Sequence, residues 1–161
     1  MALISFTDED NACREVAYDS PLPVTTSYSG RKATHTSTYV AATTGAVGAH
    51  TLFTVTGNVF VKIFGVCTVD VTGSGTNEVG VAGNTAALIA QTTGTAIDAG
   101  EVWYSNTPVL GTTAVTNITE RLIVGGADII ETIATDTLTA GSVTYYCYWT
   151  PLDSGSSVVA A

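Results

Sequence analysis

Charge is what this sequence has least of. Charged side chains make up 12% of the 161 residues, and only five are Lys or Arg against 14 Asp and Glu, a net charge of −9. A soluble domain ordinarily carries about 25%. Sequence-independent binding to nucleic acid requires basic groups against phosphates, so an acidic chain with five cations is not expected to package or line a genome. Its charge suits an outer surface or a basic protein partner. Cysteine is also scarce. Cys13, Cys67 and Cys147 are too few and odd in number for a closed disulfide framework, and no CxxC or Cys/His spacing points to zinc. Cys67 and Cys147 fall inside apolar strand patterns and read as buried free thiols in a protein that folds in a reducing cytoplasm. Long apolar runs are missing too. None approaches membrane-spanning length, and the Met1-Ala2-Leu3-Ile4 start has neither the basic region nor the apolar core of a secretory signal. Without a secretory route, the glycosylation pattern Asn117-Ile118-Thr119 reads as incidental.

What is present in quantity is β-forming material. Hydrophobic residues reach 45%, the opposite of a disordered composition, and the length suits one domain with its own core. There are 29 threonines, β-branched residues that favour a pleated backbone and tolerate half-buried surfaces. Residues 59–72 alternate with period two, with Val59, Val61, Ile63, Gly65, Cys67, Val69 and Val71 on a wholly apolar face and Phe60, Lys62, Phe64, Val66, Thr68, Asp70 and Thr72 on a mixed one. Gly65 within this run suggests a bulge or bend. Gly73-Ser74-Gly75 then predicts a hairpin that returns through Glu78–Val81. Further strands are expected at Thr36–Val40, Thr51–Thr56, Glu101–Tyr104, Glu120–Val124, Asp128–Ala134 and Val143–Thr150, with Pro151 ending the last. Eight to ten short strands without a sustained helical period predict an all-β, single-domain antiparallel β-sandwich, jelly-roll-like, over residues 31–152. Residues 1–30 read differently. Asp8, Glu9, Asp10, Glu15 and Asp19 form an acidic cluster, and Pro21 and Pro23 block helix and central-strand pairing, which predicts an extended N-terminal arm with Leu3, Ile4 and Phe6 as its apolar tip. Residues 153–161 read as a C-terminal tail.

A search for chemistry yields little. His35 and His50 lack an acid or cysteine at triad or ligand spacing and read as surface or turn residues. Gly73-Ser74-Gly75-Thr76 lacks the lysine of a phosphate loop. The pairs Asp98/Glu101 and Asp128/Glu131 read as solvated loop acids. The expectation is a non-enzymatic protein with no catalytic residues, cofactor or metal. The aromatics say more. Tyr145-Tyr146-Cys147-Tyr148-Trp149 places rings on both faces of one strand, so Tyr146 and Tyr148 must cover something, and Trp103 is a further interface candidate.

Two stretches carry a resemblance. Gly57-Asn58-Val59-Phe60-Val61-Lys62-Ile63-Phe64-Gly65-Val66 and Glu78-Val79-Gly80-Val81-Ala82-Gly83-Asn84-Thr85-Ala86-Ala87-Leu88-Ile89-Ala90 resemble small tailed-bacteriophage proteins. Ala127-Asp128-Ile129-Ile130 through Tyr145–Leu152, with the ending Val158-Val159-Ala160-Ala161, is similar in the same way. The likeness spans roughly residues 50–161 and has no motif with fixed functional residues. It implies a virion structural protein assembled in the host cytoplasm, most naturally a head decoration or cement protein that binds the major capsid protein across subunit junctions, often as a homotrimer. Neither nucleic acid nor membrane is an expected partner. A neck, tail or fibre-associated protein, and a glycan- or receptor-binding β-sandwich using Trp103 or Trp149, are the alternatives.

Overall fold

In a computed structural model of the chain, residues 31–111, 115 and 117–161 are described in full, and residues 4–7 and 13–16 by their backbone alone. The protein is all-β. Strands β1 (Ile4–Thr7) and β2 (Cys13–Val16) pair with each other antiparallel. Eleven more follow: β3 (Arg31–Thr38), β4 (Gly48–Thr56), β5 (Val59–Thr72), β6 (Thr76–Val81), β7 (Asn84–Thr93), β8 (Glu101–Trp103), β9 (Val109–Leu110), β10 (Arg121–Ile123), β11 (Ile129–Ala134), β12 (Ala140–Pro151) and β13 (Ser157–Ala160). They form two antiparallel sheets. One has the order β3-β12-β5-β8-β9, with β10 also pairing β5, and the other has the order β13-β4-β11-β6-β7.

Alternation explains why the sheets pack as a β-sandwich. Val59, Val61, Ile63 and Cys67 of β5 and Val143, Tyr145 and Cys147 of β12 point inward from the first sheet. Leu52, Phe53 and Val55 of β4, Val79 of β6, Ile89 of β7 and Ile129 and Ile133 of β11 belong to the same continuous core. Each fully buried aliphatic side chain of this kind contributes about 1.5–3 kcal/mol relative to exposure.

Four sequence expectations change. The strand after Gly73-Ser74-Gly75 is not the hairpin partner of β5. The chain crosses instead into the opposite sheet, where β6 sits between β11 and β7. The corner is tight. Gly73 has φ +113°, and a Cβ there would lie 2.4 Å from the Thr137 carbonyl oxygen, so the turn packs beneath the 136–138 loop rather than standing free. The hairpin partner of β6 is β7, through Ala82-Gly83. Gly65, second, marks no bulge in β5. It is a point of close approach, since a Cβ there would lie 2.6 Å from Val143 Cγ1 and 3.2 Å from Tyr145 Cε1. The irregular stretch of β5 lies further along, where Thr72, Val69 and Cys67 pair with Ala140, Ser142 and Val143 and β5 carries the extra residues. Third, the C-terminal residues are more than a tail, because β13 pairs β4 along the edge of the second sheet. Fourth, Trp103 offers no outer surface. It is fully buried beside Tyr145, with ring centroids 6.1 Å apart, and its indole N–H meets no acceptor among the described residues. Of the expected N-terminal arm, Leu3 lies outside the described residues, and for Ile4 and Phe6 only the β1 backbone is described.

Candidate functional site

Two places concentrate polar or aromatic chemistry, one inside the sandwich and one on its surface. The inner one is built on Glu131. Ile129, Glu131 and Ile133 share the inward face of β11, so the strand's own alternation delivers a carboxylate into the core, where it has no solvent exposure. Burial of an unpartnered carboxylate would be prohibitive. Four donors remove the problem. The hydroxyls of Tyr39 and Tyr145 donate to Oε1 at 2.5 and 2.6 Å, Asn77 Nδ2 donates to the same oxygen at 2.6 Å, and Ser37 Oγ donates to Oε2 at 3.0 Å. Asn77 Nδ2 also donates to Tyr39 Oη at 3.0 Å. Ser37, Tyr39 and Tyr145 come from β3, the residue just past it, and β12, whereas Asn77 and Glu131 come from β6 and β11. The cluster therefore bolts one sheet to the other. Burial, followed by the nearby Glu131 charge, pushes the Tyr39 and Tyr145 phenols well above the ordinary value of 10.0, so both remain proton donors. Such a cluster fixes packing, with the Glu131 carboxylate at its centre fully buried.

Glu131 corrects the reading of a solvated loop acid, whereas Asp98 and Asp128 are exposed as that reading has it, and Asp128 and Glu101 also accept backbone hydrogen bonds. Asp128 Oδ1 accepts the Val55 N–H at 3.0 Å, and Glu101 Oε2 accepts the Asp98 N–H at 3.0 Å. His50 Nε2 lies 2.8 Å from the Ala46 carbonyl oxygen, and His35 is half-buried with its ring edge-on to Phe53. Cys67 and Cys147 are buried free thiols, as their strand positions predicted. Burial pushes them up to about 11 and about 12, which leaves both inert as nucleophiles at neutral pH. Among the described residues, no three His, Cys, Asp or Glu side chains converge to hold a metal ion, and no helix is long and apolar enough to cross a membrane.

The surface feature is the outer face of β3, β12 and β5. Strand register sets its side chains in rows. Phe60 faces Thr150, Lys62–Tyr148–Lys32 forms the next row, Phe64–Tyr146–Thr34 the one after, and Val66–Thr144–Thr36 the last. Phe64 stacks on both Tyr146 and Tyr148, at centroid separations of 5.4 and 6.3 Å. Lys32 Nζ stands 5.7 Å from the Tyr146 ring centroid, a cation–π distance. Tyr148 is 41% exposed and Leu122, which pairs with Phe60 from β10, is 51% exposed. Lys62 meets Glu120 at 3.5 Å in a solvent-exposed pair worth little on its own. The threonines at the far end satisfy one another, with Thr36 and Thr144 hydroxyls 3.0 Å apart. Trp149 is not part of this face: it shares the inward parity of Tyr145 and Cys147 and packs half-buried against the core, with the Arg31 guanidinium 5.0 Å from its ring centroid.

The structure thus brings Tyr146 and Tyr148 together on one exposed face, separates them from buried Trp103, and adds Phe64, Lys32 and Lys62 as neighbours that sequence reasoning had not joined to them. Period-two alternation along β5 and β12 carried the signal for Phe64 and Lys62, whereas the pairing of the two strands did not follow from either alone. No protein-family model matches the chain, and no curated protein or solved structure matches it either.

Proposed function

We propose that this chain is a non-enzymatic virion structural protein, a capsid decoration or cement protein that joins the major capsid protein across subunit junctions, acts as a homo-oligomer such as a trimer, and assembles in the host cytoplasm. The observation that carries the reading is the outer face of β3, β12 and β5. Rings and threonines cover it, and its charge is confined to one row of two lysines. Such a face has the composition of an interface core, where aromatics are enriched and charge is depleted. A protein that buries this face only on an assembled lattice raises that lattice's stability by mass action.

Strand order supports the finer fold assignment on which the reading draws. Taking β3, β4, β5, β6, β7, β8, β11 and β12 as eight successive strands, the first, eighth, third and sixth are neighbours in one sheet. The second, seventh, fourth and fifth are neighbours in the other. That interleaving is the one a jelly roll has, and jelly rolls recur in viral capsid and lectin domains. Fold alone does not assign function. The resemblance of residues 50–161 to small tailed-phage proteins supplies the direction.

The test is the copy number of this protein relative to the major capsid protein in purified particles, by quantitative mass spectrometry. A ratio near one, or a simple fraction of one, is expected. A handful of copies would move the protein to the neck or tail, and absence from particles would overturn a virion role. Tyr146→Ser with Tyr148→Ser should abolish particle binding while leaving the thermal melt nearly in place, and retained binding would remove this face from the mechanism.

A further inference from the structure

The outer face is basic at one end, and the chain itself carries a segment of opposite sign immediately before it. Five of the 14 acids and one of the five bases fall in residues 1–30, a net of −4 there against −5 for all the rest. Asp8, Glu9 and Asp10 are consecutive, with Leu3, Ile4 and Phe6 just ahead of them. On the domain, the outward rows from Phe60–Thr150 to Val66–Thr144–Thr36 contain no carboxylate, and their charged residues are Lys32 and Lys62 flanking Tyr148. The chain enters the sandwich at Arg31, next to Lys32, so the acidic segment is tethered at the basic end of the face. Twelve residues separate Asp19 from Lys32. A connection of that length spans at most about 45 Å, so the acidic segment stays within reach of the face.

We propose that the outer face of β3, β12 and β5 is the docking surface for the protein's own N-terminal segment, residues 3–19. Asp8, Glu9 and Asp10 lie against Lys32 and Lys62, and the apolar residues ahead of them lie against the rings. The proposal rests on the reading of this face as the protein's interaction surface and names what occupies it before a partner does. Because the contact is solvent-exposed and partly electrostatic, it is weak enough for an assembled lattice to displace.

Zero-length carbodiimide cross-linking of the full chain tests this, using a mixture of isotopically light and heavy protein and peptide mass spectrometry. The Lys62–Glu120 pair, 3.5 Å apart, serves as the internal control. Cross-links from Lys32 or Lys62 to Asp8, Glu9, Asp10 or Glu15 are expected within chains of one isotope. They should fall about fivefold in 1 M salt, where the screening length shrinks to about 3 Å. Recovery of Lys62–Glu120 alone would overturn the proposal, and so would light–heavy cross-links, which would assign the face to a second copy. The two readings fail separately. Same-chain cross-links together with undiminished particle binding by the Tyr146→Ser, Tyr148→Ser variant would keep the docking and end the capsid role of the face. Loss of particle binding without those cross-links would do the reverse.

Discussion

Two pairs of tyrosines, separated by little more than the thickness of one sheet, do opposite work. Tyr39 and Tyr145 point inward and use their hydroxyls, each donating to the buried Glu131 carboxylate. Tyr146 and Tyr148 point outward and use their ring faces, against Phe64 and Lys32. Tyr145 and Tyr146 are adjacent in sequence, so pleating alone decides which property of the side chain the protein employs. The inner pair fixes how the sheets meet. The outer pair is available to something else.

The comparison predicts unequal responses to substitution. Glu131→Ala would strand four donors in the core and should lower unfolding stability by about 3–5 kcal/mol in urea titration. Tyr145→Phe, which removes one charge-assisted hydrogen bond, should cost about 2 kcal/mol, whereas Tyr148→Phe should stay within about 0.5 kcal/mol. Equal losses at Tyr145 and Tyr148 would erase the distinction. Gly65→Ala comes next. Its Cβ would press on Val143 and on the Tyr145 ring that serves Glu131, at a cost of about 1–3 kcal/mol.

Alkaline titration probes the inner pair by a different route. Tyr39 and Tyr145 are raised above 10.0, Cys67 from 9.0 to about 11 and Cys147 from 9.0 to about 12. The folded protein therefore holds these protons more tightly than the unfolded chain does. Their contribution is complete below pH 9 and is lost as pH rises toward 12, so the melting temperature should fall steadily across that interval. Tyr145→Phe should reduce that slope.

The smallest expected effect is a gain. Thr135, which follows β11, has φ +70°, costly for a β-branched residue, and Asp136 N–H closes a tight turn onto the Ala134 carbonyl oxygen at 2.8 Å. Thr135→Gly should add about 0.5–1 kcal/mol, the relieved strain being partly offset by the freedom of glycine in the unfolded chain.

Much of this architecture was legible in the sequence, and the gaps have physical causes. The inward and outward faces of β12 and of β5 as far as Cys67 followed from period-two alternation, because both strands line the core on one side only. Beyond Cys67 the extra residues of β5 break the period, and Val69, expected on the apolar face, is 55% exposed. The same rule did not extend to Ile129, Glu131 and Ile133, because a lone acid reads as a solvated loop residue until its donors are known, and those come from residues as distant as Ser37 and Tyr145. Gly73-Ser74-Gly75 permits both a hairpin and a change of sheet, and the choice is made by Leu138 and its loop, some 60 positions away. The four residues of β13 have too little pattern to announce a strand without the β4 edge that receives them.

The Glu131 cluster also sets an order in time. Its parts are separated by up to 108 positions along the chain, from Ser37 to Tyr145, and as the protein is synthesised Ser37 and Tyr39 emerge first, Asn77 and Glu131 later, and Tyr145 last. Until Tyr145 is out of the ribosome, closing the two sheets would enclose a carboxylate short of a donor. The nascent chain is thereby discouraged from premature collapse, and the sandwich forms as one late, slow event dominated by long-range contacts.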